Sequence, residues 1–150
     1  MRELHAKSED GTDITAIDQG NGPTVLIVHP SGSDERSWDV VASLLADEYR
    51  VVRIRRRIYA SPTAAATAAR SGHTFAIEAA DVLAVAALLD QPVLLVGHSA
   101  GAVAALESAL RKPDAFAAIV AYEPPMPTRL LLISHAETAS MRRARVMMRA

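Results

Sequence analysis

The stretch DQPVLLVGHSAGAVAALE (residues 90–107) decides the fold. Its first half, QPVLLVGH, is an apolar run that reads as a buried strand. From Ser99 onward, SAGAVAALESALRK reads as a helix of small residues able to pack closely on a sheet. Between them stands Gly97-His98-Ser99-Ala100-Gly101, a Gly-x-Ser-x-Gly pattern. In a tight strand-to-helix turn such a serine is held in a strained conformation that pushes its hydroxyl outward. The flanking glycines keep side chains out of the crowded bend. The helix N-terminus behind the serine offers free N–H groups and partial positive charge where an oxyanion would form. Five-residue matches of this kind also arise by chance in Gly/Ser turns. The strand before and the helix after give this one its meaning.

Working outward, residues 4–20 read as two short strands around SEDGTD, whose Asp10-Gly11 pair is a hairpin signal. TVLIVHP (residues 24–30) is a continuous apolar run, the mark of a strand buried on both faces. Helical spacing follows, with Trp38, Val41, Leu44 and Leu45 as its apolar positions. YRVVRIRR (residues 49–56) is a further strand, and the alanine-heavy residues 59–73 read as an excursion loop. Phe75, Ala79, Val82, Ala86 and Leu89 then form a helical stripe, and AFAAIVAYEPP is a last strand stopped by Pro124-Pro125. A hairpin followed by β-α-β-α-β-α-β predicts an α/β fold: a mostly parallel sheet with right-handed crossovers and helices on both faces. Ligands of such sheets bind beyond the carboxyl ends of the strands.

The totals bound the rest. One hundred and fifty residues make one domain, half of them hydrophobic, with a net charge of -1. A protein gripping nucleic acid through phosphates should be far more basic, so no nucleic-acid partner is expected. The lack of cysteine excludes disulfides, thiolate catalysis and Cys-ligated metals. The polar N-terminus lacks a signal-peptide core, and no apolar run approaches the ~18 residues of a membrane span. A soluble cytoplasmic protein with no membrane partner, no metal and no organic cofactor is the expectation.

Across about residues 3–127 the chain resembles the α/β-hydrolase fold family. GHSAG is similar to that family's nucleophile turn. DGTDITAIDQGNGPTVLIVHP looks like its opening hairpin and third strand, and ERSWDVVASLLADEYRVVRIRRR like its first helix and fourth strand. The resemblance implies a serine hydrolase acting on an ester-like or other acyl small molecule, with Ser99 as nucleophile. It also implies two oxyanion-hole amides, those of Ala100 and of a residue after the third strand. There the family usually has His-Gly, and this chain has His29-Pro30-Ser31. Proline has no N–H to give, so the carried-over donor is the Ser31 amide. The same HPSGS segment also reads as an ordinary loop into a helix capped by Ser33 or Asp34. A second departure is Arg55-Arg56-Arg57-Ile58, where many members carry an acidic residue and a glycine-rich turn. These arginines read as a solvated basic strand end, with a cationic rim for an anionic substrate as the sharper alternative. Five arginines between Arg50 and Arg57 could also suggest phosphate binding, but no aromatic platform is interleaved with them as a nucleic-acid groove would need.

A serine hydroxyl needs a histidine base and a carboxylate behind it, in this fold in the order Ser, acid, His. After Ser99 the acids are Glu107, Asp114, Glu123 and Glu137, and the only histidine is His135. Glu107 lies two turns along the helix and Asp114 precedes the last strand, at the wrong end of the sheet. Glu123 sits at the right end and is the candidate acid, with His135 as candidate base. The family's base follows an eighth strand, however, and residues 128–150 read instead as the start of a cap or lid, with a helix carrying Met141, Ala144 and Met148 on one face. The expectation is a partial hydrolase core over 1–127, truncated in its lid and weakly active or inactive alone. Its last strand would be an open apolar edge, a route to self-association. Two other readings remain: a complete non-catalytic binding module that kept the turn as structure, and a complete enzyme using His135 and Glu123.

Overall fold

The computed structural model describes residues 1–61, 63, 72–90 and 92–125. The expected lid segment, its helix, His135 and most of the 59–73 excursion lie outside the described residues. Six strands form one sheet: β1 (Arg2–Lys7), β2 (Asp13–Gln19), β3 (Thr24–Val28), β4 (Arg50–Ile54), β5 (Val93–His98) and β6 (Phe116–Tyr122). Their order is β1-β2-β4-β3-β5-β6. β1 and β2 pair antiparallel, as do β2 and β4, whereas β3 is parallel to both β4 and β5, and β5 to β6. The expected α/β architecture is therefore present, opened by a hairpin whose turn places Gly11 at φ 82°.

Among the described residues three helices cover the sheet: α1 (Asp39–Leu45), α2 (Phe75–Ala86) and α3 (Ala100–Arg111). On one face Leu26, Val28, Val52, Ile54 and Leu95 pack against Val82, Val85 and Ala86 of α2 and Ala104 and Ala105 of α3. On the other, Val25, Ile27 and Val51 meet Ala42 of α1, with Trp38 and Leu45 beside it. β3 has every residue buried because both layers close over it. Small residues on α3 let its backbone approach the sheet, as their pattern implied.

The apolar stripe expected on α1 is corrected. Leu44 is 78% exposed and Val41 also faces out, while Ala42 is fully buried. A 3₁₀ turn over Glu35–Trp38 precedes the helix. Its tighter winding shifts the phase, so the inward positions become Trp38, Ala42 and Leu45. Phe75, at the first position of α2, is likewise exposed, and the rest of its stripe is inward.

β6 forms one edge of the sheet among the described residues, with Val120 and Tyr122 half exposed. Among the described residues no helix is long and apolar enough to cross a membrane.

Candidate active site

The turn after β5 is strained. Ser99 takes φ 51° and ψ −122°, and it caps α3 without any side-chain capping bond. A non-glycine residue there costs about 1–3 kcal/mol and persists only where its surroundings over-determine it. Here they do. The Ser99 N–H donates to Tyr122 O at 2.8 Å, and the Ser99 carbonyl accepts from the N–H groups of Ala102 and Val103 at 2.9 and 3.3 Å. A Cβ on Gly101 would lie 2.4 Å from Val28 O and 2.5 Å from His29 O, and one on Gly97 would lie 2.5 Å from Ala102 Cα. Both glycines are thus places where backbone touches backbone. The hydroxyl they present is free of hydrogen bonds among the described residues, beside the unpaired first N–H groups of α3, which begin at Ala100.

The register places a second loop beside this turn. Val28 is level with Gly97 in the parallel pair β3/β5, so residues 29–33 leave the sheet next to Ser99. The contact of Gly101 with the carbonyls of Val28 and His29 ties that loop to the first turn of α3. Ser31 is exposed there.

Glu123 follows β6, itself at positive φ (48°). Its carboxylate is exposed and lies 3.7 Å from His98 Nε2. The His98 ring packs between Trp38 and Tyr122, with centroids 6.2 and 4.7 Å away, so this histidine braces the turn from behind. Glu107 pairs with Arg111 on α3, and Asp114 sits at the amino end of β6, both remote from Ser99 as their positions implied.

The arginine run is the main correction. It is neither a solvated end nor a cationic rim: each arginine of the run meets a carboxylate. Arg50 binds Asp18, Arg53 binds Asp39 and Gln19, and Arg55 binds Glu35. Arg56, 3% exposed, forms a two-pronged pair with Glu78 at 2.6 and 2.8 Å, and Arg57 bridges Asp10 and Asp81. The partners lie 14 to 47 residues away in sequence, so no local reading of RIRRR reveals them. Burial alone would raise the Glu78 carboxyl, but the Arg56 and His73 contacts outweigh it and hold it below the usual carboxylate range.

The Arg56 pair adjoins His29, which precedes Ser99 in the chain. His29 is buried. Its Nδ1 donates to Pro30 O at 2.8 Å, and its Nε2 accepts the Arg56 N–H at 3.2 Å. A carbonyl only accepts and an amide N–H only donates, so the ring is neutral and protonated on Nδ1. Burial pushes its pKa below the ordinary 6.5. His73 likewise faces Glu78, at 2.6 Å. Neither ring reaches Ser99, and His135 lies outside the described residues.

Two surface concavities of ≈ 330 and ≈ 550 Å³ open elsewhere, one by Asp10 and Arg57, the other by Asp18 and Arg50. Among the described residues no group of three or more His, Asp or Glu is placed to hold a metal ion.

A six-stranded sheet in this order, with a strained serine turn after its fifth strand, defines an α/β-hydrolase fold. The chain belongs to the alpha/beta hydrolase family, whose model matches residues 25–149. It is 30% identical over 115 residues to the uncharacterized hydrolase YraK of Bacillus subtilis, covering 76% of this chain and 42% of that protein. It is 36% identical over 112 residues to the probable oxidoreductase EphD of Mycobacterium tuberculosis, covering 72% of this chain and 18% of that one. The solved structure of an epoxide hydrolase from an endophytic Streptomyces superposes with a TM-score of 0.67 at 34% identity, covering 80% of this chain and 36% of its own. The chain thus spans less than half the length of each of these relatives.

Proposed function

We propose that the protein is a serine hydrolase that acts on an ester-like or other acyl small molecule through Ser99. The supporting observation is the Ser99 backbone at φ 51°, which holds at the start of α3 a hydroxyl with no hydrogen bond among the described residues. In the reaction Ser99 Oγ attacks the substrate carbonyl while its proton passes to the base, and the N–H groups of Ser31 and Ala100 receive the resulting oxyanion. Collapse of that intermediate breaks the ester C–O bond and expels the alcohol, which takes the proton from the base and leaves an acyl–Ser99 ester. Water then attacks that ester, releases the carboxylic acid and restores the proton to Ser99. Hydrogen-bond donors already aimed at that oxygen need no reorganisation as charge develops.

The attack also needs a base, and the histidines of the described residues are engaged elsewhere: His5 beside Glu3 on β1, His29 with Pro30 and Arg56, His73 with Glu78, and His98 with Glu123. His135 is the remaining candidate, with Glu123 as its acid. Without a base, a strained serine beside an oxyanion hole still outpaces ordinary hydroxyls, since such sites retain about 10³–10⁴-fold catalysis over water when a triad member is removed.

A fluorophosphonate probe tests this. Peptide mapping by mass spectrometry should find the adduct on Ser99 in preference to every other serine, and Ser99→Ala should abolish it. Adducts spread over several hydroxyls, or unchanged in Ser99→Ala, would overturn the reading. A labelling rate that His135→Ala leaves intact removes His135 as base.

A further inference from the structure

We propose that His29 is a positioning residue: it locks the Pro30–Ser31 peptide so that the Ser31 N–H faces the oxyanion. The proposal rests on the serine-hydrolase reading above and adds the device that orients one of its two donors.

The argument begins with the peptide plane. In a trans peptide the carbonyl and the following N–H point in opposite directions. Pro30 O is held by His29 Nδ1 at 2.8 Å, with Ser33 Oγ at the limit of bonding at 3.5 Å. Fixing that oxygen toward the protein turns the Ser31 N–H outward, and among the described residues nothing accepts it. If the same peptide flipped, its carbonyl would occupy the donor's place and repel the oxyanion.

The neighbouring peptides are pinned as well. Arg56 Nη1 donates to His29 O at 3.3 Å, and the Gly32 N–H donates to Tyr59 Oη at 2.9 Å. The loop is therefore gripped on both sides of the one amide left open. The His29 ring is held in turn: its Nε2 accepts from the Arg56 N–H, and the Tyr59 ring stands edge-on to it at 5.2 Å. Arg56 is fixed by both oxygens of Glu78. The chain of contacts runs from α2 through β4 to the loop after β3. Only its last member, the Nδ1–H of His29, acts on the peptide that matters.

A pair of amide variants separates this role from packing. Asparagine can place an N–H where Nδ1 stands, whereas glutamine places its amide where Nε2 stands. The readout is the rate at which a fluorophosphonate modifies Ser99, because the phosphonyl oxygen occupies the oxyanion position. His29→Gln should slow it about 100- to 1000-fold, in line with loss of one oxyanion donor, and His29→Asn should recover most of the rate. Wild-type rates in both variants, or equal losses in both, overturn the lock while leaving Ser99 as nucleophile. If the wild type shows no adduct on Ser99, it is the hydrolase reading that fails. The lock is then decided by ¹⁵N NMR of His29: a proton on Nδ1 bonded to Pro30 O supports it, and a proton on Nε2 overturns it.

Discussion

The turn after β5 and the loop after β3 stand side by side, yet they are built by opposite means. The β5 turn is a backbone construction. Gly97 and Gly101 of GHSAG let strand, helix and neighbouring strand touch, and a local run of residues carries all of it. The β3 loop is a side-chain construction. Its shape depends on Arg56, Tyr59 and Glu78, drawn from β4's exit and from α2. A site assembled this way has one wall that tolerates no added atom and another that tolerates no lost charge.

That contrast predicts which changes harm the fold most. Glu78→Ala would leave the Arg56 guanidinium buried without its carboxylate, and breaking such a pair costs about 3–5 kcal/mol. Urea denaturation should show that loss, with Glu78→Gln falling between the variant and the wild type. A loss below 1 kcal/mol would mean that water or His73 replaces the pair, and the two walls would no longer differ in kind. Gly101→Ala should come next. Its new Cβ would meet the carbonyl oxygens of Val28, at the end of β3, and of His29 just beyond it, and overpacking of this sort costs about 1–3 kcal/mol. It should also open the turn, so that labelling of Ser99 falls more than stability does.

The same contrast explains what could be read from the sequence. Periodicity and punctuation gave away the sheet, its crossovers and the strained serine, because each is written within about 20 residues of chain. The phase of α1 was lost because the 3₁₀ turn over Glu35–Trp38 changes the residues per turn just where the stripe begins. The arginine pairs are illegible locally because charge in a short window looks solvated, while Asp10, Glu78 and Asp81 answer it from far along the chain. The place of His29 ahead of Ser99 in the chain bears on a base and says nothing about a residue that steers a peptide.

A pH series sharpens the comparison further. His29 has its pKa pushed down in the fold by burial, so the unfolded chain takes up that proton first. Its contribution is present above the ordinary 6.5 and is lost as pH falls below it toward the folded value. Glu78, Glu35 and Asp18, all held low by their arginines, add their losses only at more acidic pH. Stability measured by urea at pH 7.5, 6.0 and 5.0 should therefore decline before the carboxylates titrate. His29→Asn should flatten that first decline and leave the acidic one. An unchanged slope in the variant would show that His29 is not the group responsible.

The smallest effect should have the opposite sign. At φ 51° and ψ −122° Ser99 occupies backbone space that glycine enters freely. Ser99→Gly removes the Cβ that is strained there, while the contacts of Gly97 and Gly101 keep the turn in place. The relief should outweigh the extra freedom of glycine in the unfolded chain, giving a gain of about 1 kcal/mol in urea midpoint analysis, with all labelling at this position lost. Stability gained on losing the hydroxyl would mark the turn as held for reactivity at the fold's expense. A variant less stable than the wild type would mean that the Ser99 side chain supports the turn, and the non-catalytic reading of the β5 wall would then gain over the hydrolase one.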